Sequence, residues 1–257
     1  MKWFSRWRRN RILGRHLIPH DAFVSSVKRL PILDGLTRDE LNRLREAASL
    51  LLADKTFSAA GGAEVDDAMQ RAIALQACLL TLNLDDDSYD GWSEIILYPD
   101  EFLRHHEEMD ETGIVHVTRD ILAGESWHGG PLVLSIADVE NSGQADGYNV
   151  VLHEFAHKLD MLNGDANGFP PLHRGMNAAA WTRDFGTAYE DLCRRVDAGE
   201  DTAIDPYASS APAEFFAVLT EVFFETPGLL HAEYPAVYEQ LKLFYRQHPL
   251  QRLACPA

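Results

Sequence analysis

Apolar residues recur along most of this chain at helical spacing. Leu41, Leu44, Ala48 and Leu51-Leu52 return every three or four positions behind Thr37, a helix-opening residue, so a helix begins there. A Gly61-Gly62 loop separates it from a more continuously apolar stretch, 68–82, that reads as a buried helix. Tyr148, Val151, Leu152, Phe155, Leu159 and Leu162 make a further stripe of about four turns, closed by Asn163-Gly164. After a long loop, 163–180, the segments 181–196, 212–225 and 236–247 read as helices, with Pro212 suited to a first turn. Strand signals are fewer: 93–98, 114–118 and the short apolar run Pro131-Leu132-Val133-Leu134-Ser135-Ile136. That run is the candidate edge strand for pairing with an extended peptide, a plain core strand being the alternative. A small sheet, then a helix, then a mainly helical C-terminal part is the order of an α+β fold.

Composition limits the class. At 257 residues, 46% hydrophobic, the chain can bury the core of one large domain. No apolar run approaches the roughly 18 residues that span a bilayer. Lys2, Arg6, Arg8, Arg9, Arg11 and Arg15 fall within the first 20 residues, with no acid among them. Residues 1–20 thus read as a basic N-terminal arm. Residues 21–257 read as a single domain whose helical N-terminal part covers about 21–85. With Trp3, Phe4 and Trp7 among its arginines, the arm suits contact with an anionic membrane surface, RNA or an acidic partner; a loosely packed arm is the plainer reading. The net charge is −17 overall, and the chain beyond the arm holds 17 basic against 40 acidic residues, which argues against direct nucleic-acid binding. Cys78, Cys193 and Cys255 are far apart and odd in number, the pattern of free thiols in a reducing compartment, here expected to be cytoplasmic.

The chemistry concentrates in His153-Glu154-Phe155-Ala156-His157. Histidines four apart share one helical face about 6 Å apart along the axis, so both imidazoles can meet one metal ion, with Glu154 beside them as general base. Asp160 begins about 4.5 Å further along the axis, too far for a short side chain to ligate easily. It reads either as a carboxylate orienting a ligand histidine or as a solvated acid. A third ligand must come from elsewhere. Glu214, in the first turn of the 212–225 helix, and Glu221, two turns on along the same face, both qualify, and spacing alone does not choose between them. Tyr207, just upstream, reads as a loop tyrosine or an oxyanion donor. Asp85-Asp86-Asp87 is an acidic turn without the pattern of a calcium loop. His105-His106, inside the acidic stretch 101–111, reads as a solvated surface loop, with a second metal site as the other reading. His128 and His173 have no partner at ligand spacing.

Beyond the five-residue motif, His153 to Asp160 followed by Asn163-Gly164-Asp165 resembles the Mlc titration factor A family of zinc metallopeptidases. So do Tyr207-Ala208, Pro212-Ala213-Glu214, Phe216-Ala217-Val218, Glu221 and Phe223-Phe224. The resemblance continues through Gly91-Trp92, Ile96-Leu97-Tyr98-Pro99, Gly124-Glu125-Ser126-Trp127 and Gly130-Pro131, and ends near Phe244-Tyr245 and Pro249 to Leu253. It covers nearly the whole chain; the N-terminal segment matches least. It implies a zincin-like fold and one zinc ion held by His153, His157 and Glu214. It also implies Glu154 as general base and Tyr207 as the residue stabilising the transition state. The residues leave aminopeptidase and endopeptidase open; the resemblance implies aminopeptidase-type hydrolysis of small peptides, together with a regulatory role through binding a transcriptional repressor. The competing function is a binding factor that sequesters a transcription factor with little or no peptidase activity.

Overall fold

In a computed structural model, the described residues are 2–62, 64–84, 88–99, 102–109, 115–122, 124–126 and 130–254. For residues 2–6, 8, 102–109, 115–122 and 124–126 only the backbone is described. The acidic turn at 85–87, His128, Cys255 and the side chains of His105 and His106 lie outside the described residues.

Two helices, α1 (Lys2–His16) and α2 (His20–Val27), precede α3 (Arg38–Asp54). Thr37 caps α3 in a reciprocal box: its hydroxyl accepts from the Glu40 N–H, and the Glu40 carboxylate accepts from the Thr37 N–H. The residues read as a basic arm thus form α1, which lies along α3 with Arg9 paired to Glu46 at 3.0 Å. Strand β1 (Thr56–Ala59) leads to α4 (Asp67–Leu80), capped by Asp66 and buried along its last eight residues.

Strands β2 (Glu94–Tyr98), β3 (Phe102–Met109), β4 (Val115–Leu122), β5 (Gly124–Ser126) and β6 (Leu132–Ser135) follow. They form a four-stranded sheet in the order β1-β2-β6-β5, and β3 and β4 form a separate antiparallel pair. The first three strands of the sheet run parallel, and β5 is antiparallel to β6. Two expectations change here. The run at 131–136 is not an edge: Leu132–Ser135 pairs with β2 on one side and β5 on the other, so its backbone groups are taken and the edge strands are β1 and β5. His105-His106 is not loop but strand, because Phe102–Met109 finds a full antiparallel partner in Val115–Leu122.

Past α5 (Ile136–Asn141) comes α6 (Val150–Asp160), then α7 (Ala178–Asp197), α8 (Pro212–Glu225), α9 (Pro227–Glu233), α10 (Pro235–Tyr245) and α11 (Pro249–Ala254). The α6 helix is three turns rather than four. Asn149 caps it, leaving Tyr148 42% exposed outside, and Leu162, 46% exposed, belongs to the 3-10 turn Met161–Asn163. Every residue of α6 except His153 is buried, as is every residue of α8 from Phe215 onward. The two helices pack directly on each other. Phe155 anchors α6 under Tyr89 and Trp92, with ring centroids 5.0 and 5.8 Å away, and Phe216 of α8 packs on Trp181 and Phe244. The site therefore stands where two rigid core helices meet.

Candidate metal centre

His153 and His157 stand one turn apart on α6, and Glu214 enters from the first turn of α8. The Glu214 Oε2 atom lies 3.0 Å from His153 Nε2 and 3.3 Å from His157 Nε2, and the two Nε2 atoms are 3.2 Å apart. Two nitrogens and one oxygen form a nearly equilateral triangle. A tetrahedral zinc with bonds of about 2 Å has ligand–ligand edges of about 3.3 Å, so this donor set fits such an ion without rearrangement. Among the described residues this is the one group of three potential ligands that converges in this way.

Electrostatics point the same way. Burial alone would raise the Glu214 carboxyl, but the hydrogen bonds and charges of His153 and His157 outweigh it and hold the group well below the usual carboxylate range. Burial would lower His153, yet its contacts with Glu214 and Glu221 raise it well above an ordinary histidine. Two carboxylates around one imidazole create a demand for positive charge. Without a metal, a proton on His153 meets that demand; a divalent cation meets it better.

The crossing of α6 and α8 brings the two glutamates to opposite sides of the His153 ring. Glu214 faces the two Nε2 atoms, whereas Glu221, 3% exposed, places Oε1 2.7 Å from His153 Nδ1 on the far side of the ring. Asp160 does something else again. It is fully buried, and its Oδ2 accepts from the N–H groups of Asn167 and Gly168, both at 2.7 Å; Oδ1 has no hydrogen-bond partner. It neither orients a histidine nor lies in solvent but ties the end of α6 to the following loop. Burial pushes its carboxyl up.

Glu154 is 4% exposed and lines, with His153, Tyr207, Asp146, Asp205 and Tyr148, a cleft of about 560 Å³ beside the histidines. Tyr207 stands on the 3-10 turn Pro206–Ser209 with its ring 6.2 Å from that of His153 and 47% exposed to the cleft and solvent. Asp205 caps that turn by accepting from the Tyr207 N–H at 2.9 Å. One turn after Glu154 on α6, Lys158 donates to the Gly130 carbonyl at 3.0 Å and lies over Trp92 at 5.0 Å; burial brings its pKa down to about 8. His173 is used structurally, facing the carbonyls of Leu243 and Phe244.

Sequence reasoning missed several supporting residues. Asn149 and Gln76 are fully buried polar residues and Glu225 is 2% exposed, and all three join a network behind Glu221. Asn149 carried a readable signal, an asparagine just ahead of Val150-Val151-Leu152. Gln76 and Glu225 carried none, because each is set by contacts between distant segments.

Comparison with known proteins gives a consistent result. Residues 4–246 match the family described as glucose-regulated metallo-peptidase M90. Similar relatives include proteins named Mlc titration factor A from Enterobacter sp. (strain 638), 38% identical over 98% of this chain and 94% of that one. Another, from Salmonella gallinarum, is 41% identical over 89% of this chain and 87% of its own length. A third, from Yersinia pestis (strain Pestoides F), is 38% identical over 98% and 92%.

Proposed function

Since the chain belongs to the glucose-regulated M90 metallopeptidase family, we propose that it is a zinc-dependent peptidase, of aminopeptidase type, acting on small peptides. The observation that carries this reading is the triangle of His153 Nε2, His157 Nε2 and Glu214 Oε2 beside the buried Glu154. Zinc bound there would lower the pKa of the attacking water and polarise the substrate carbonyl. The residues supply the rest. Glu154 takes the proton of the attacking water and delivers it to the leaving amine. The Tyr207 phenol, on the cleft wall, donates a hydrogen bond to the developing oxyanion. The neighbouring cleft holds the peptide. No helix of the described residues is long and apolar enough to cross a membrane.

Glu154→Gln is expected to keep zinc, measured by metal analysis of the purified protein, while peptide hydrolysis falls at least a hundredfold. Full activity in that variant would sink the mechanism. A second reading comes from the relatives' name, which speaks of titrating Mlc. On that reading the chain binds an Mlc-like transcriptional repressor, with or without cleaving peptides. Mixing the purified chain with such a repressor and following co-elution tests it; separate elution at micromolar concentrations would reject it.

A further inference from the structure

The His153 ring is held from both sides. Its Nε2 faces Glu214 and His157; its Nδ1 faces Glu221 Oε1 at 2.7 Å. A neutral imidazole has one N–H and one lone pair, so whichever partner takes the proton decides which nitrogen can bind a metal.

Glu221 is itself fixed. Its second oxygen, Oε2, accepts from the backbone N–H of Asn149 at 2.5 Å. Asn149 caps α6 through Oδ1, which accepts from the Leu152 N–H at 2.9 Å. Its Nδ2 donates to Gln76 Oε1 at 2.7 Å and to Glu225 Oε1 at 2.6 Å. The residue that starts the histidine-bearing helix thus also aims the carboxylate at that histidine. The network draws on α4, α6 and α8 and is closed to water at Gln76 and Asn149, both fully buried.

We propose that Glu221 is the positioning residue of His153: by accepting the Nδ1 proton it leaves Nε2 bare toward Glu214 and His157 and fixes the plane of the ring. This rests on the reading of His153 as a metal ligand. Both Glu221 oxygens then face donors, the ring Nδ1–H and the Asn149 N–H. A glutamine at this position has one acceptor and one donor and satisfies only one of the two. Either its amide opposes the Asn149 N–H, or it donates to Nδ1 and drives the ring proton onto Nε2, where the metal must bind.

The test uses the full chain. Zinc affinity is measured by competition with a chelating dye for wild type, Glu221→Gln and Glu214→Ala. The His153 tautomer in the zinc-loaded wild type is read from ring nitrogen NMR. The expected result is a proton on Nδ1 in wild type and a 10- to 100-fold weaker zinc affinity in Glu221→Gln, the range for loss of a carboxylate behind a ligand histidine. Affinity within about twofold of wild type would overturn the proposal. So would a loss as complete as in Glu214→Ala, which would make Glu221 a ligand. So would a ring proton found on Nε2. If Glu221→Gln does not fold, the wild-type ring measurement decides alone. A wild type that binds no zinc overturns the metal reading and this inference with it, whereas zinc binding indifferent to Glu221→Gln overturns only the inference.

Discussion

Tyr207 is the residue whose role depends most on a single atom. Its backbone is held by Asp205, and the Ser210 hydroxyl donates to its carbonyl at 2.7 Å, while the side chain projects into the cleft near His153. Replacing it with phenylalanine removes the phenol oxygen and little else. If that oxygen meets the oxyanion only in the transition state, Tyr207→Phe should lower kcat by roughly 10²-fold with KM and zinc content nearly unchanged. A variant that loses affinity instead of turnover would make Tyr207 a binding wall. At this scale the sequence was readable where the geometry is local. Two histidines and a glutamate within five residues share a helix turn, and helix pitch alone brings them together. Glu214 and Glu221 could not be told apart, because they differ only in which side of the His153 ring they meet, and that follows from the crossing of two helices far apart in the chain.

Elements were legible in proportion to their own apolar periodicity. The α3, α4, α7, α8 and α10 helices lie within two or three residues of their expected ends, since each buries a stripe that stands out against polar neighbours. The α1 helix was hidden by its arginines, and β3 by acids and histidines; β3 becomes an element only through its pairing with β4. The position of β6 inside the sheet depends on pairing with β2 and β5 and has no local signature. One junction between elements carries a sharp prediction. Gly168 has φ +76°, and its N–H is held by Asp160 at the end of α6 while its carbonyl accepts from Trp181 of α7 at 3.2 Å. A Cβ there would come within 2.4 Å of the Pro212 carbonyl, two residues ahead of Glu214. Because the obstacle is backbone, the start of α8 must shift, and the strained φ adds its own cost of about 1 kcal/mol. Gly168→Ala should therefore destabilise the protein by about 2 kcal/mol or more in urea and also weaken zinc binding. Unchanged zinc affinity alongside the lost stability would show that the loop supports the fold without setting Glu214.

Over the whole molecule, the candidate ligands come from two helices, with His153 and Glu214 61 positions apart in sequence, so metal binding joins parts of the chain that the unfolded state keeps apart. An ion bound this way stabilises only the folded form, by about 2.7 kcal/mol when present at a hundred times its dissociation constant. For a chain of this length that corresponds to a rise in Tm of roughly 5–10 °C, reversed by a chelator. The net charge of −17 makes the control essential, since a strongly acidic surface also collects cations weakly. Surface collection involves many carboxylates and should survive the loss of any one of them; a built site should not. Glu214→Ala leaves that acidic surface nearly intact while removing one corner of the triangle, so its Tm should no longer respond to stoichiometric zinc. Equal shifts in wild type and Glu214→Ala would place the stabilising ion elsewhere and remove the metal centre from α6 and α8.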